Sequence, residues 1–409
     1  MDLLSDKPYW PIKDGLPATY PALGSDLHCD VAIVGAGITG ALVAWHLAEA
    51  GIKTVVLDRR DVAHGSTAGS TCLLQYEIDV PLFKLAQRLG TLRARRAYLH
   101  CLKAIHDLRR IVKKLKIDCG FEYKGSLLLA SKGSHVERLR KEYEARRAAG
   151  LGVEWWPRSE LARRSSLSQP AAILSAPGEA AQVDGYALAH GLLAAAVKRG
   201  ARIYDRTAVV RRRTHSAGVE LVTNRGSRVR ARWLVVASGY EAGQFLPEQV
   251  TTLHSTYAMV SEPVAAFPGW PAGQPVIWET ADPYVYLRTT PDGRIMMGGY
   301  DEPFRNPEKR DELLNDKVGV LLRRFRRLFP RIPLEVATAW AGTFGKTEDG
   351  LPFIGEHQGV PRTWFALGYG GNGITYSVIA AQLFRNRLLG RASREADLYG
   401  FNRKPDAKP

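Results

Sequence analysis

The chain has 409 residues, 45% of them apolar, with 57 Lys and Arg against 41 Asp and Glu for a net charge of +16. A single core stops growing at roughly 250–300 residues, so two domains, or one large domain with an insertion, are expected. The composition excludes a collagenous chain, a disordered chain and a disulfide-stapled miniature. Cys29, Cys72, Cys101 and Cys119 are scattered without a CxxC pair, which argues against a metal cluster or disulfide framework and for a reducing, cytoplasmic setting. The start, MDLLSDKPYWPIKDG, carries charges and prolines where a signal peptide needs an apolar run. No segment approaches the ~18 apolar residues of a membrane span. The excess arginine comes with no nucleic-acid motif. A basic solvated surface is expected, open to acidic ligands, a membrane surface or a protein electron acceptor.

Residues 1–28 hold Pro8, Pro11, Pro17 and Pro21 with Tyr9, Trp10 and Tyr20, the pattern of an irregular arm laid over the body. Val31–Val34 reads as a buried parallel strand, Thr39–Ala50 as a helix stopped by Gly51, and Lys53–Leu57 as a second strand, together a βαβ unit. Apolar spacing predicts helix over 82–117 and strand over 127–130, and Ser134 with Glu137 has the spacing of a capping box for a helix ending near Gly150. A further helix–glycine–strand passage, DGYALAHGLLAAAVKRGARIYDRTAVV, leads into alternating strands and the apolar run LVVASG. Strands are expected at 284–287 and 294–297, and helices at 309–328 and 374–389.

Gly35, Gly37 and Gly40 form G-x-G-x-x-G between the first strand and the first helix. In this setting the glycines serve a tight turn, backbone approach to a pyrophosphate and close packing of the helix, with Ile38 and Thr39 at the helix N-terminus. Asp58, followed by Arg59, ends the second strand 18 residues after Gly40, where a carboxylate accepts from a ribose hydroxyl and repels an NADP 2′-phosphate. FAD and NAD both satisfy this pattern.

Further motifs occur in a fixed order: AIVGAGITG, RRDVAHGSTAGSTC, QVDGYALAHGLLAAAVKRGARI, LVVASG, YLRTTPDGRIMMGG, AWAGTFGKTEDGLPFIGE and ALGYGGNGITYS. From about residue 29 to 390 the chain resembles the D-amino-acid oxidase, sarcosine oxidase and glycine oxidase family of FAD-dependent oxidoreductases. The resemblance implies an α/β protein with a discontinuous Rossmann-like FAD-binding domain (29–100, 176–256, 335–400) and a mixed-sheet α+β substrate domain (101–175, 257–334). It implies flavin contacts from Gly65, Ser66, Thr67, Thr71 and Cys72, an adenine-side contact from Val209, and a place for Gly239 at the cofactor. It also implies contacts from the loop Gly371, Asn372, Gly373 and Ile374 to the isoalloxazine edge. That loop precedes a helix and has the character of an anion-binding nest.

Family members acting on amino acids clamp the substrate carboxylate with basic side chains. The matching positions here hold Phe344, Gln75 and Thr375. A guanidinium is not replaced by phenylalanine or glutamine without loss of charge pairing. The resemblance therefore points to an amine, or an N-substituted amino-acid-like substrate, oxidised to an imine by hydride transfer to flavin N5, with oxygen or another electron acceptor. Tyr257 and Tyr286 are candidate aromatic lining, and Glu77 a candidate partner for a cationic amine. Arg288 is the candidate relocated clamp, which would support a D-amino-acid or proline-like dehydrogenase. A non-catalytic flavin-binding subunit is the further alternative. Gly342 stands where related enzymes tether flavin to cysteine, and His64 precedes GST instead of following a tethering pattern, so the FAD is expected to be noncovalent. Met296 and Met297 occupy the region where related oxidases keep a lysine, which leaves oxidase and dehydrogenase both open. No metal site is expected.

Overall fold

The apolar run ending at Val34 is the C-terminal half of the strand Leu27–Val34, which lies inside an eight-stranded sheet. The structure is a computed structural model and describes residues 2–403. Leu27–Val34 pairs in parallel with Arg228–Val236 and Thr54–Leu57, and the parallel array extends to Arg202–Tyr204 and Val360–Leu367. Strands covered on both faces need apolar side chains at every position, and Val31, Ala32, Ile33, Val55, Val56 and Leu57 are all buried. Val31, Ile33 and Val56 face the helices Ile38–Glu49, Gly185–Lys198, Gly373–Leu388 and Thr91–Leu115. Ala32, Val55 and Leu57 face Val219 and Leu221 of an antiparallel layer, Val209–His215 with Gly218–Thr223.

The second sheet has ten strands. Its order is Leu4–Asp6, Val336–Lys346, Thr252–Ser261, Ile295–Glu302, Val285–Thr289, Val276–Glu279, Glu122–Leu129, Ala171–Gln182 and Leu73–Gln75, with Val153–Pro157 also paired to Ala171–Gln182. Leu321, Phe325 and Leu328 of the helix Leu314–Leu328 cover one face, against Met259, Leu287 and Met297. The opposite face looks toward the C-terminal ends of the parallel strands. The chain thus forms the expected class, a Rossmann-like α/β unit with a mixed-sheet companion.

Sheet membership moves the expected domain limits. Thr91–Leu115 is one helix running through the 100/101 boundary, and its Cys101, Ile105 and Leu108 share a core with Val31 and Ile33. Thr252–Ser261, Val336–Lys346, Leu73–Gln75 and all of Ala171–Gln182 belong to the larger sheet, so the limits at 256, 335 and 176 each fall short of it. Apolar patterning specifies a strand without specifying its sheet, which is why these limits slip. The arm at 1–28 is not irregular throughout either. Leu4–Asp6 pairs with Val336–Lys346, and Tyr9–Asp14 is helical. The helical stretch from residue 82 breaks at Gly90, whose φ is 80°, a conformation that glycine adopts at little cost. Ser134 lies in a 3-10 turn, Gly133–His135, and the helix Val136–Ala148 has no side-chain cap.

Candidate active site

The turn after Leu27–Val34 is built so closely that only glycine fits at positions 35 and 40. A Cβ on Gly40 would lie 1.8 Å from the Gly35 carbonyl oxygen, and one on Gly35, at φ +106°, would lie 2.4 Å from the Ala237 carbonyl oxygen. At Gly37, the N-cap of Ile38–Glu49, a Cβ would meet only the Thr67 hydroxyl, at 2.9 Å. That hydroxyl accepts from the Ile38 N–H at 2.9 Å, and no side chain of the helix itself caps the terminus. Asp58 binds the same turn. Its Oδ2 accepts from Ala36 N–H at 2.6 Å and its Oδ1 from Arg60 N–H at 2.9 Å, leaving one lone pair on each oxygen for a further donor.

These groups open onto a cavity of about 660 Å³ between the ends of the parallel strands and the larger sheet. Of the residues expected at the cofactor, all but Gly40 line it: Gly35, Gly37, Ile38, Thr39, Asp58, Arg59, Gly65, Ser66, Thr67, Thr71, Cys72, Val209, Gly239, Gly371, Asn372, Gly373 and Ile374. Ser66 Oγ and Ser238 Oγ lie in this wall, buried and without a hydrogen-bond partner. Burial raises the pKa of the Cys72 thiol, which disfavours the thiolate.

The late loop is tied to the early one. Asn372 Nδ2 donates to the carbonyls of Gln75, at 3.0 Å, and Glu77, at 2.8 Å. The nest expected to face an anion already holds one of the protein's own, because the Gly371 N–H lies 3.2 and 3.3 Å from the two Asp79 carboxylate oxygens. Asp79 is solvent-accessible through the cavity, yet the protein surrounding it pushes its carboxyl upward.

Of the residues singled out for substrate, Phe344, Gln75 and Tyr286 line the cavity. The Gln75 amide donates to Ser126 Oγ at 3.0 Å. Four expectations are corrected. Tyr257 lies on the opposite face of its strand, packed with Leu314 and Ala341, because successive side chains alternate; its neighbour Thr256 faces the cavity. Arg288 is sealed behind the arm, with its guanidinium 5.3 Å from the centre of the Trp10 ring and donating to the Val183 carbonyl at 3.2 Å. Thr375 is 2% exposed, outside the cavity wall, and turned toward the Gln75 carbonyl. Glu77 reaches the wall, but its Oε1 is held by Arg146 at 3.1 Å and Ser175 at 2.8 Å. His64 lies outside this cavity, its ring 5.5 Å from Tyr186 and edge-on to it, while Gly342 lines the cavity.

Sequence reasoning missed an ionisable cluster in the same wall: Asp79, Asp301 and Lys346 beside Tyr240 and Tyr284. Burial, with Asp79 and Asp282 adding repulsion, raises Asp301 to about 6 against the opposing pull of Thr256 and Lys346. Burial also pushes the Tyr286 hydroxyl up to about 12 and holds Tyr240 and Tyr284 in the neutral form. Tyr284 and Tyr286 stand with ring centres 5.9 Å apart. The wall therefore offers neutral phenols and carboxylates that lack full charge compensation. One signal for Lys346 was legible: it follows Gly342 and Phe344 at the period of two that places all three on one strand face.

A family model described as "FAD dependent oxidoreductase" matches residues 30–387. The chain belongs to this FAD-dependent oxidoreductase family. Among its relatives, glycine oxidase of Geobacillus kaustophilus is 28% identical over 91% of this chain and 96% of its own length. The gamma-glutamylputrescine oxidoreductase of Escherichia coli is 26% identical over 92% of this chain and 87% of its own. The fold of L-proline dehydrogenase from P. horikoshii matches with a TM-score of 0.76 at 17% identity, covering 92% of this chain and 97% of that one. The family binds FAD, and the wall here fits it. The turn is glycine where a Cβ would intrude, the helix N-terminus behind Gly37 has no cap of its own, and Ser66 and Ser238 present unpartnered hydroxyls. Among the described residues no helix is long and apolar enough to cross a membrane, and no group of His, Cys, Asp and Glu could hold a metal ion.

Proposed function

We propose that this family member oxidises a C–N bond of an amine, or of an N-substituted amino-acid-like substrate, to an imine, with FAD held noncovalently by the Gly35–Gly40 turn, Asp58 and the 371–374 loop. The observation that carries the reading is the chemistry of the substrate wall. Where carboxylate clamps would stand, Phe344 is apolar, the Gln75 amide is engaged with Ser126, and Thr375 is withdrawn. Arg288 is enclosed by Trp10 and Val183. The acidic groups Asp79 and Asp301 line the wall instead. Beside Phe344 and Gln75 a substrate carboxylate would lose several kcal/mol of solvation without repayment, whereas a cationic amine is attracted.

Bound FAD supplies the two-electron acceptor for the hydride that leaves the carbon beside nitrogen. The residues perform the remaining tasks. An ammonium entering the cavity must lose a proton before its nitrogen lone pair can assist departure of the hydride. Asp79, whose carboxyl is held upward by its surroundings, receives that proton at a carboxylate oxygen. Tyr284 and Tyr286 flank the path with neutral hydroxyls and orient the chain of the substrate. Phe344 excludes water from the reacting carbon. The imine product hydrolyses in water to a carbonyl compound and an amine or ammonia.

Anaerobic mixing with substrate, followed by flavin absorbance, tests the reading. Primary and secondary alkyl amines are expected to bleach the flavin faster than glycine, sarcosine, D-alanine, D-proline or L-proline. Faster bleaching by one of these five, none of which carries an amine apart from its α-nitrogen, overturns it. Acid precipitation is expected to release FAD into the supernatant, and flavin retained in the pellet would contradict noncovalent binding.

A further inference from the structure

Side chains alternate along Val336–Lys346, so Gly342, Phe344 and Lys346 share the face that lines the cavity. Lys346 stands one same-face step beyond Phe344, about 7 Å along the strand. It also stands farther out, since Phe344 is buried whereas the Lys346 side chain is 36% exposed. Its ammonium lies 4.0 Å from Asp301 Oδ2, too far for a hydrogen bond, and 5.0 Å from the centre of the Phe344 ring. Asp79 presents a second carboxylate that acts electrostatically on Lys346 and Asp301, and His254 stacks obliquely on Phe344 with ring centres 5.5 Å apart. The rim thus holds a cation with three donors beside the Asp301 carboxylate, yet Lys346 closes no hydrogen bond with it.

We propose that Lys346 and Asp301 bind the far end of the substrate, an end that carries a carboxylate and an ammonium together, while the C–N bond to be oxidised lies deeper, beside Phe344. The inference rests on the amine-oxidising reading above and specifies the substrate class. Such a zwitterionic head satisfies both signs at once: its carboxylate takes the donors of Lys346, and its ammonium is accepted by Asp301. A plain alkyl amine offers Lys346 nothing. A diamine brings a second cation to a site that already holds one. A small α-amino acid bound by its head at the rim keeps its only C–N bond there, away from the reacting position, and acts as a competitive inhibitor.

Pentylamine, 1,5-diaminopentane and lysine form a matched series in which the ammonium and then the carboxylate are added to one five-carbon chain. A γ-glutamyl-capped 1,4-diaminobutane is the longer probe bearing the same head. In anaerobic flavin reduction, at least one head-bearing probe is expected to exceed pentylamine in kcat/KM by roughly 10-fold or more, as a charge-assisted contact provides. In Lys346→Met that ratio is expected to collapse toward one through KM, with Asp301→Asn reducing it similarly. FAD content and Tm establish that each variant is folded. Equal efficiency across all four probes, or a ratio untouched in Lys346→Met, overturns the rim assignment and leaves the amine reading standing. Reduction by none of the four overturns both.

Discussion

The side-chain amide of Asn372 donates to the Glu77 carbonyl at 2.8 Å, joining segments 295 residues apart in sequence, and its second hydrogen goes to the Gln75 carbonyl. One amide therefore sets the distance between the two loops that bound the inner end of the cavity. The contact is structural and lies beside the site at once, since Gln75, Glu77 and Asn372 all line the cavity.

Replacing Asn372 by alanine takes this donor from the Glu77 carbonyl, at about 1–3 kcal/mol, and leaves the Gln75 carbonyl facing the Thr375 hydroxyl at 3.5 Å. Thermal unfolding should shift downward, and FAD affinity should fall with it. Differential scanning fluorimetry with and without added FAD checks both. An unchanged Tm would assign the loop spacing to other contacts.

Gly40→Ala and Gly37→Val should separate packing from cofactor approach. A Cβ at Gly40 collides with backbone, 1.8 Å from the Gly35 oxygen, and the expected outcome is a destabilised protein. At Gly37 the first atom met is a side-chain hydroxyl, at 2.9 Å, which can rotate. That variant should fold and purify colourless, as read by its visible spectrum and circular dichroism.

Asp301 should make stability fall as pH rises. Its carboxyl titrates near 6 in the folded chain but at ~3.9 when unfolded. Between these values the native state holds a proton that the unfolded chain has lost, so stability declines with pH across that window. Asp301→Asn should remove the decline. Its Tm should exceed wild type above pH 6 by an amount equivalent to roughly 3 kcal/mol at most, with the gain fading near pH 4. A gain that is constant across this range would count against burial of the charge as the cause.

Arg288→Met should cost stability and not substrate affinity. It removes a donor to the Val183 carbonyl and the cation packed on Trp10, together worth about 2–4 kcal/mol. KM for the preferred amine should stay within about twofold. A rise in KM by an order of magnitude would restore Arg288 as a substrate clamp.

The legible parts of the site share one property: their geometry is local in sequence. The spacing of Gly35, Gly37 and Gly40 specifies a turn by itself, and the GYGGNG loop announces Asn372 in the same way. Tyr257 was misplaced by one residue, which on a strand exchanges one face for the other. Arg288 was misjudged because the lid over it, Trp10, comes from an arm with no apolar period to betray a docking site. Asp301 owes its position to a register shift opposite Ser255–Tyr257, which sets it against Thr256. No pattern within Ile295–Glu302 encodes that shift. The domain limits slipped for the same reason, since strand pairing over long separations leaves no local trace.

The short strand Leu4–Asp6 pairs Leu4 with Gly342, and Leu3 and Leu4 form part of the cavity wall. During synthesis Leu4 thus waits for a partner made more than three hundred residues later. Until then the vessel for the cofactor has an open side. The cofactor's vessel therefore closes only after Gly342 has been made, and deleting residues 2–6 should reopen that side and hasten FAD loss during gel filtration.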